Sequence, residues 1–283
     1  MRRANRNPKR LCWARLLFTL TKEGRRALFL FSLLSLSLCA DVSAQTPRIA
    51  AAADLQFVLP DLAAQYEKQT GAKLGITYGS SGSFFAQIQN GAPFDLFLSA
   101  DMDYPKKLIA AGFADADSLV TYAQGHLVIW LPPDSPLDLK AAGFRTLLDP
   151  RIEKIAIANP EHAPYGRAAI IAIQDAGLYG QLKSKLVFGE NVSQAAQFVQ
   201  SGSAQAGLIA GSLALSPAMK SGKSYELSGP HFPPIGQAAV VLKSSPNKQA
   251  ASAFLEFLKT PEARAIFERC GYSAPPAATG QKP

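Results

Sequence analysis

The chain has 283 residues, enough for a sizeable buried core, and its balance of 48% hydrophobic to 18% charged residues excludes wholesale disorder. The formal charge of +8 would suggest an anionic partner such as nucleic acid if it were spread over the chain. It is not: residues 1–44 hold nine basic and two acidic side chains, leaving 20 basic against 19 acidic in a nearly neutral body, so nothing points to nucleic acid.

The first segment reads as an address. Arg25-Arg26 precede an uncharged apolar run, Ala27–Leu38, and Val42-Ser43-Ala44 then puts small residues where a signal peptidase cuts. The run is too short for a transmembrane helix, which needs about 20 residues. Residues 1–44 are therefore expected to be a signal peptide removed after Ala44, and the mature protein to be periplasmic. Cys39 raises a lipoprotein alternative, against which the bulky Leu38 counts. Removal takes Cys12 and Cys39, so Cys270 alone remains and no intramolecular disulfide is expected. With three His (His126, His162, His231) at no ligand spacing, a structural zinc site is not expected.

Arg48–Ala53 reads as a short buried strand. Asp54 stands as N-cap of an amphipathic helix bearing Leu55, Val58, Leu59, Leu62 and Tyr66, closed by Gly71. A strand at Lys73–Tyr78, a Gly-Ser loop, a helix at about Phe84–Asn90, a strand at Asp95–Ser99 and a helix at Tyr104–Ala111 follow. Further strands are expected at His126–Leu131, Ile155–Ala158, Leu186–Phe188, Ala206–Ala210 and Gln237–Leu242. Helices are expected at Arg167–Ala176, from Asn191 to near Val199, at Lys248–Lys259 and at Pro261–Cys270. Strands alternating with helices imply βαβ units and largely parallel sheets. Two such blocks flank the strand at 126–131. The economical arrangement is two lobes joined by two crossing strands: residues 45–125 and 237–274 in the first lobe, 126–236 in the second, and 275–283 as a flexible tail. Trp130 would lie on the hinge strand.

No phosphate loop, dinucleotide fingerprint or nucleophile elbow occurs. Asp101 and Asp103 lack the rest of a calcium loop and read as the start of a helix. What recurs is a loop rich in small and hydroxyl residues between strand and helix: Ala53-Asp54, Ser80–Ser83, Pro164-Tyr165-Gly166 and Asn191-Val192-Ser193. Ligands of open α/β sheets bind at such strand ends. Helix N-termini offer free N–H groups and partial positive charge, so several together can hold an anion without Lys or Arg.

The stretches AAADL (51–55), YGSSGSFFAQIQNGAPFDLFLSAD (78–101), IANPEHAPYG (157–166) and FLKTPEARAIFERCGY (257–272) carry a resemblance to the molybdate-binding, solute-capturing components of ABC importers, type II periplasmic binding proteins. The resemblance covers nearly all of 48–273. It implies two α/β lobes, each a mostly parallel sheet flanked by helices. They close as a monomer on one molybdate or tungstate ion and deliver it to an inner-membrane permease, with no other cofactor and no catalysis. By position it implies ligand contacts at Asp54, Ser81, Tyr165 and the main chain of Val192, with Tyr165 supplying the phenol that other members take from the place of Ala210.

Asp54 departs from the family's neutral donor. An ionised carboxylate cannot donate a hydrogen bond, and facing a dianion at about 4 Å costs several kcal/mol. Three readings stay open: Asp54 only caps its helix, it accepts a proton carried by the ligand, or it joins Tyr165 in binding a metal ion or small organic anion. A secreted enzyme using Ser81 or Asp54 is disfavoured, because no base is spaced to serve Ser81 and no second carboxylate lies near Asp54.

Overall fold

The computed structural model describes residues 46–228 and 234–275. The expected signal peptide and, Pro275 apart, the expected tail lie outside them. The strands are β1 (Arg48–Ala52), β2 (Gly75–Gly79), β3 (Leu96–Ser99), β4 (Val120–Gly125), β5 (Leu127–Leu131), β6 (Ile155–Ala158), β7 (Leu186–Gly189), β8 (Ala206–Ala210), β9 (Lys223–Glu226) and β10 (Ile235–Val241). The principal helices are α1 (Leu59–Thr70), α2 (Ser81–Gln89), α3 (Asp103–Ala110), α4 (Pro164–Asp175), α5 (Val192–Gln200), α6 (Lys248–Phe257) and α7 (Pro261–Arg269).

The strands form two five-stranded sheets, in the orders β2-β1-β3-β10-β4 and β7-β6-β8-β5-β9. This is the two-lobe α/β architecture. In the first sheet β1 pairs parallel with β2 and β3. In the second β6 pairs parallel with β7 and β8. Each sheet is nevertheless mixed, for one topological reason. Strand β5 enters the second sheet straight from β4 of the first, through His126, and runs antiparallel to β8 and β9. Strand β10 makes the return journey and runs antiparallel to β3 and β4. The strand that arrives from the other lobe is thus the reversed one in each sheet. Trp130 lies on that incoming strand, β5, four residues past His126. It sits within the second sheet, opposite Gly207 and Ser224, with its indole N–H donated to Met219 O at 3.0 Å.

Alternation along the first sheet sets its two faces. Ile49, Ala51, Leu96, Leu98, Ala239 and Val241 join the main core, which holds apolar residues of α1, α6 and α7. Ala50, Phe97 and Val240 face a smaller cluster with Phe84 and Ile88 of α2 and Tyr104 and Leu108 of α3. The two C-terminal helices therefore return to the first sheet: Tyr66 of α1 packs on Phe254 with ring centroids 5.2 Å apart, and Tyr122 of β4 stacks on Phe267 at 5.5 Å.

Helix α4 starts hard against the end of β6. A Cβ on Gly166 would lie 2.2 Å from Ala158 O, a backbone atom that cannot swing away. Gly166→Ala is expected to cost about 2–3 kcal/mol through overpacking. Thermal unfolding should show a Tm drop of several degrees, and an unchanged Tm would mean that this contact relaxes freely.

Candidate functional site

The carboxyl ends of β1, β2 and β3 face loops of the second lobe across one cavity. From the first lobe it is lined by Asp54, Ser80, Ser81 and Ala100 among others, and from the second by Ala163, Pro164, Tyr165, Asn191 and Val192. All four residues expected from the sequence, Asp54, Ser81, Tyr165 and Val192, line it. Its volume is about 10 Å³, near the least that admits one water molecule.

Three helices begin on this cavity. Ser81 is the first residue of α2 and is buried; its Oγ accepts the Ala100 N–H at 3.0 Å, which leaves its own hydrogen free to donate. Tyr165 is the second residue of α4, after Pro164. Val192 opens α5, where Asn191 Oδ1 takes the Gln194 N–H at 3.0 Å. First-turn N–H groups have no acceptor within their own helix, and the termini add partial positive charge. Ser80 makes no cap for α2. Its Oγ donates across the cleft to His162 O at 2.6 Å, and the Gly82 N–H reaches the same carbonyl at 2.8 Å. That approach requires glycine, since a Cβ on residue 82 would sit 2.6 Å from His162 O.

Asp54 is not a helix cap. It lies within a 3-10 turn, Ala53–Phe57, and α1 begins only at Leu59. The reason is long-range bonding: its carboxyl is fully buried, and Oδ2 accepts from Gln237 Nε2 at 2.6 Å, Tyr272 OH at 3.0 Å and, more loosely, Tyr165 OH at 3.5 Å. Its carbonyl accepts from Ser212 Oγ at 2.9 Å, and the single Tyr272 hydrogen is shared between this carbonyl, at 2.8 Å, and Oδ2. Behind it, Gln237 Oε1 accepts from Tyr122 OH at 2.8 Å, and Gln237 Nε2 also reaches Tyr165 OH at 3.2 Å. Oδ1 of Asp54 is buried with no hydrogen-bond partner. Burial pushes the Asp54 pKa up to about 6, although the bonds from Gln237, Tyr272, its own backbone N–H and Tyr165 pull the other way. Burial, and next the adjacent Asp54 charge, holds the phenols of Tyr122, Tyr165 and Tyr272 well above 10.

Sequence reasoning missed Gln237, Tyr272, Ser212 and Tyr122. One signal existed: Gln237 is the lone polar side chain in the strand IGQAAVV, and it is fully buried. Ala210, expected to carry no ligand group, closes β8 as a buried apolar residue. Among the described residues no three His, Cys, Asp or Glu cluster to hold a metal ion.

Residues 47–273 match the family described as bacterial extracellular solute-binding protein. The chain belongs to that family. Among its relatives, the molybdate-binding protein ModA of Rhodobacter capsulatus is 41% identical over 223 residues, spanning 79% of this chain and 86% of that protein. ModA of Azotobacter vinelandii is 39% identical over 83% of this chain and 92% of its own length. The solved structure of the Azotobacter vinelandii periplasmic molybdate-binding protein superposes with a TM-score of 0.76 at 36% identity, covering 81% of this chain and 99% of that one. These relatives are named for binding molybdate.

A carboxyl whose pKa is raised by folding stabilises the fold fully below its unfolded pKa and loses that contribution as pH rises through the folded one. For Asp54 the window runs from 3.8 to about 6, worth about 3 kcal/mol across it. The difference in unfolding free energy between the native protein and Asp54→Asn, measured in urea at pH 4 and pH 7, should shift by that order in the variant's favour as pH rises. A constant difference would place the folded pKa at its ordinary value.

Proposed function

We propose that the protein is the periplasmic solute-binding component of an ABC importer that captures molybdate, or its near-isostere tungstate, and delivers it to an inner-membrane permease. The observation that carries this is the convergence of three helix N-termini and the free Ser81 hydroxyl on one small cavity between two lobes. Such donors suit a compact tetrahedral anion: each oxygen can be met by a neutral N–H or O–H. The relatives named for molybdate binding support the choice of ion. In this reading the ligand contacts are the Ser81 hydroxyl, the Tyr165 phenol, the main chain at Val192 and the carboxyl of Asp54. The lobes are 45–125 with 237–274, and 126–236, and they close as a monomer on the ion, stabilising the form the permease recognises. Export would use residues 1–44 as a signal peptide.

The Asp54 carboxyl favours keeping one second reading in view, a hydrogen-bearing oxyanion such as hydrogen phosphate, because a carboxylate can accept that hydrogen. Calorimetric titration of the purified protein with molybdate, tungstate, sulfate and phosphate separates the two. Molybdate and tungstate are expected to bind one per chain, and Ser81→Ala to weaken them about ten- to a hundredfold, as for loss of one charge-assisted bond. Tight phosphate binding with no response to molybdate would establish the second reading in place of the first.

A further inference from the structure

We propose that capture of the oxyanion is coupled to uptake of one proton by Asp54. A proton from solvent settles on the carboxyl, and Oδ1 donates it as a hydrogen bond to an oxygen of the anion, with no covalent bond to the anion formed. This rests on the molybdate reading above and deepens it.

The two carboxyl oxygens are unequal. Oδ2 is surrounded by donors from both lobes, Gln237, Tyr272 and Tyr165. Oδ1 is buried and has no partner, in a residue that lines the anion cavity. While ionised, the group can only accept, so Oδ1 presents a lone pair where the ligand presents only lone pairs. One added proton turns that clash into a donor–acceptor pair and removes the charge from a fully buried position.

The titratable groups at the carboxyl are the phenols of Tyr165 and Tyr272, with Tyr122 behind Gln237, all held neutral by burial. Of the segments packed against the turn, 192–200 and 211–214 carry no ionisable side chain, and β2 carries only Tyr78. Arg48 on β1 and Asp61, Glu67 and Lys68 on α1 are solvent-exposed, and Tyr66 of α1 packs its buried ring on Phe254 and Phe257. Among the described residues no ion pair involves Asp54. Burial already lifts the pKa of the free group to about 6, which lowers the cost of adding the proton when a dianion arrives.

The test is calorimetric titration with molybdate in two buffers of different ionisation enthalpy, at pH 5.5 and pH 7.5. Native protein should take up about one proton per ion at pH 7.5 and about a quarter of one at pH 5.5, and bind about twentyfold more weakly at pH 7.5. Asp54→Asn, with its folding checked by thermal unfolding, should take up none and bind equally at both. Molybdate binding by native protein at pH 7.5 without proton uptake would overturn the proposal, and that count stands whether or not the variant folds. Full proton uptake by Asp54→Asn would overturn it too. No molybdate binding by native protein even at pH 5.5, where Asp54 is mostly protonated, would sink the functional reading itself and this proposal with it.

Discussion

The carboxyl of Asp54 is the point on which both lobes hang. It sits just past the end of β1 and draws Gln237 from β10, Tyr272 from beyond α7, Tyr165 from the start of α4 and, through its carbonyl, Ser212 from beyond β8. Those partners come from both lobes and the C-terminal segment. A buried acceptor left without donors costs more than any one of these bonds contributes, so the group holds its neighbours to one arrangement as firmly as they hold it. The turn after β1 is 3-10 and not α-helical because the carboxyl serves this network and not the first turn of α1.

Away from that centre the lobes meet through a thinner set of bonds. Ser80 and Gly82 reach His162 O, Ser193 donates to Gln56, Ser83 to Glu190, and Arg167 pairs with Asp101 while its guanidinium lies 5.1 Å over the Tyr104 ring. Several of these are partly solvated, where an ion pair is worth about 0.2–1 kcal/mol and a neutral bond about 1 kcal/mol. Contacts of that strength can be made and broken together, as an opening and closing cleft needs. A ligand that bonds both lobes at once then decides the balance.

Much of this was legible in the sequence. Strands β6 and β8 were readable to the residue because IAIA and AGLIA are unbroken apolar runs between turn signals, the mark of strands buried on both faces. The strands that escaped notice, β4 and β9, stand at the edges of their sheets, and VTYAQG and KSYE carry the polarity that a half-solvated edge permits. The four expected ligand residues share a cavity because each follows a strand end, a local property. The bonds that define Asp54 span 183 residues to Gln237 and 218 to Tyr272. No spacing rule encodes such pairs, so the N-cap pattern at Asp54 pointed to a role that tertiary bonding overrode.

The charge balance of the cavity follows from the same chemistry. Each of the three helix N-termini contributes about half a positive charge, so together they fall short of a dianion, and among the described residues no Lys or Arg lines the cavity to make up the rest. An ionised Asp54 would more than double that shortfall inside a space with little room for screening water. A protonated Asp54 leaves the sum to the helix termini and adds one more donor. The residue that looks least suited to an anion site is therefore tolerable in one protonation state and adverse in the other. The long-range partners of its carboxyl group bond to Oδ2, which leaves Oδ1 as the atom on which that choice is made.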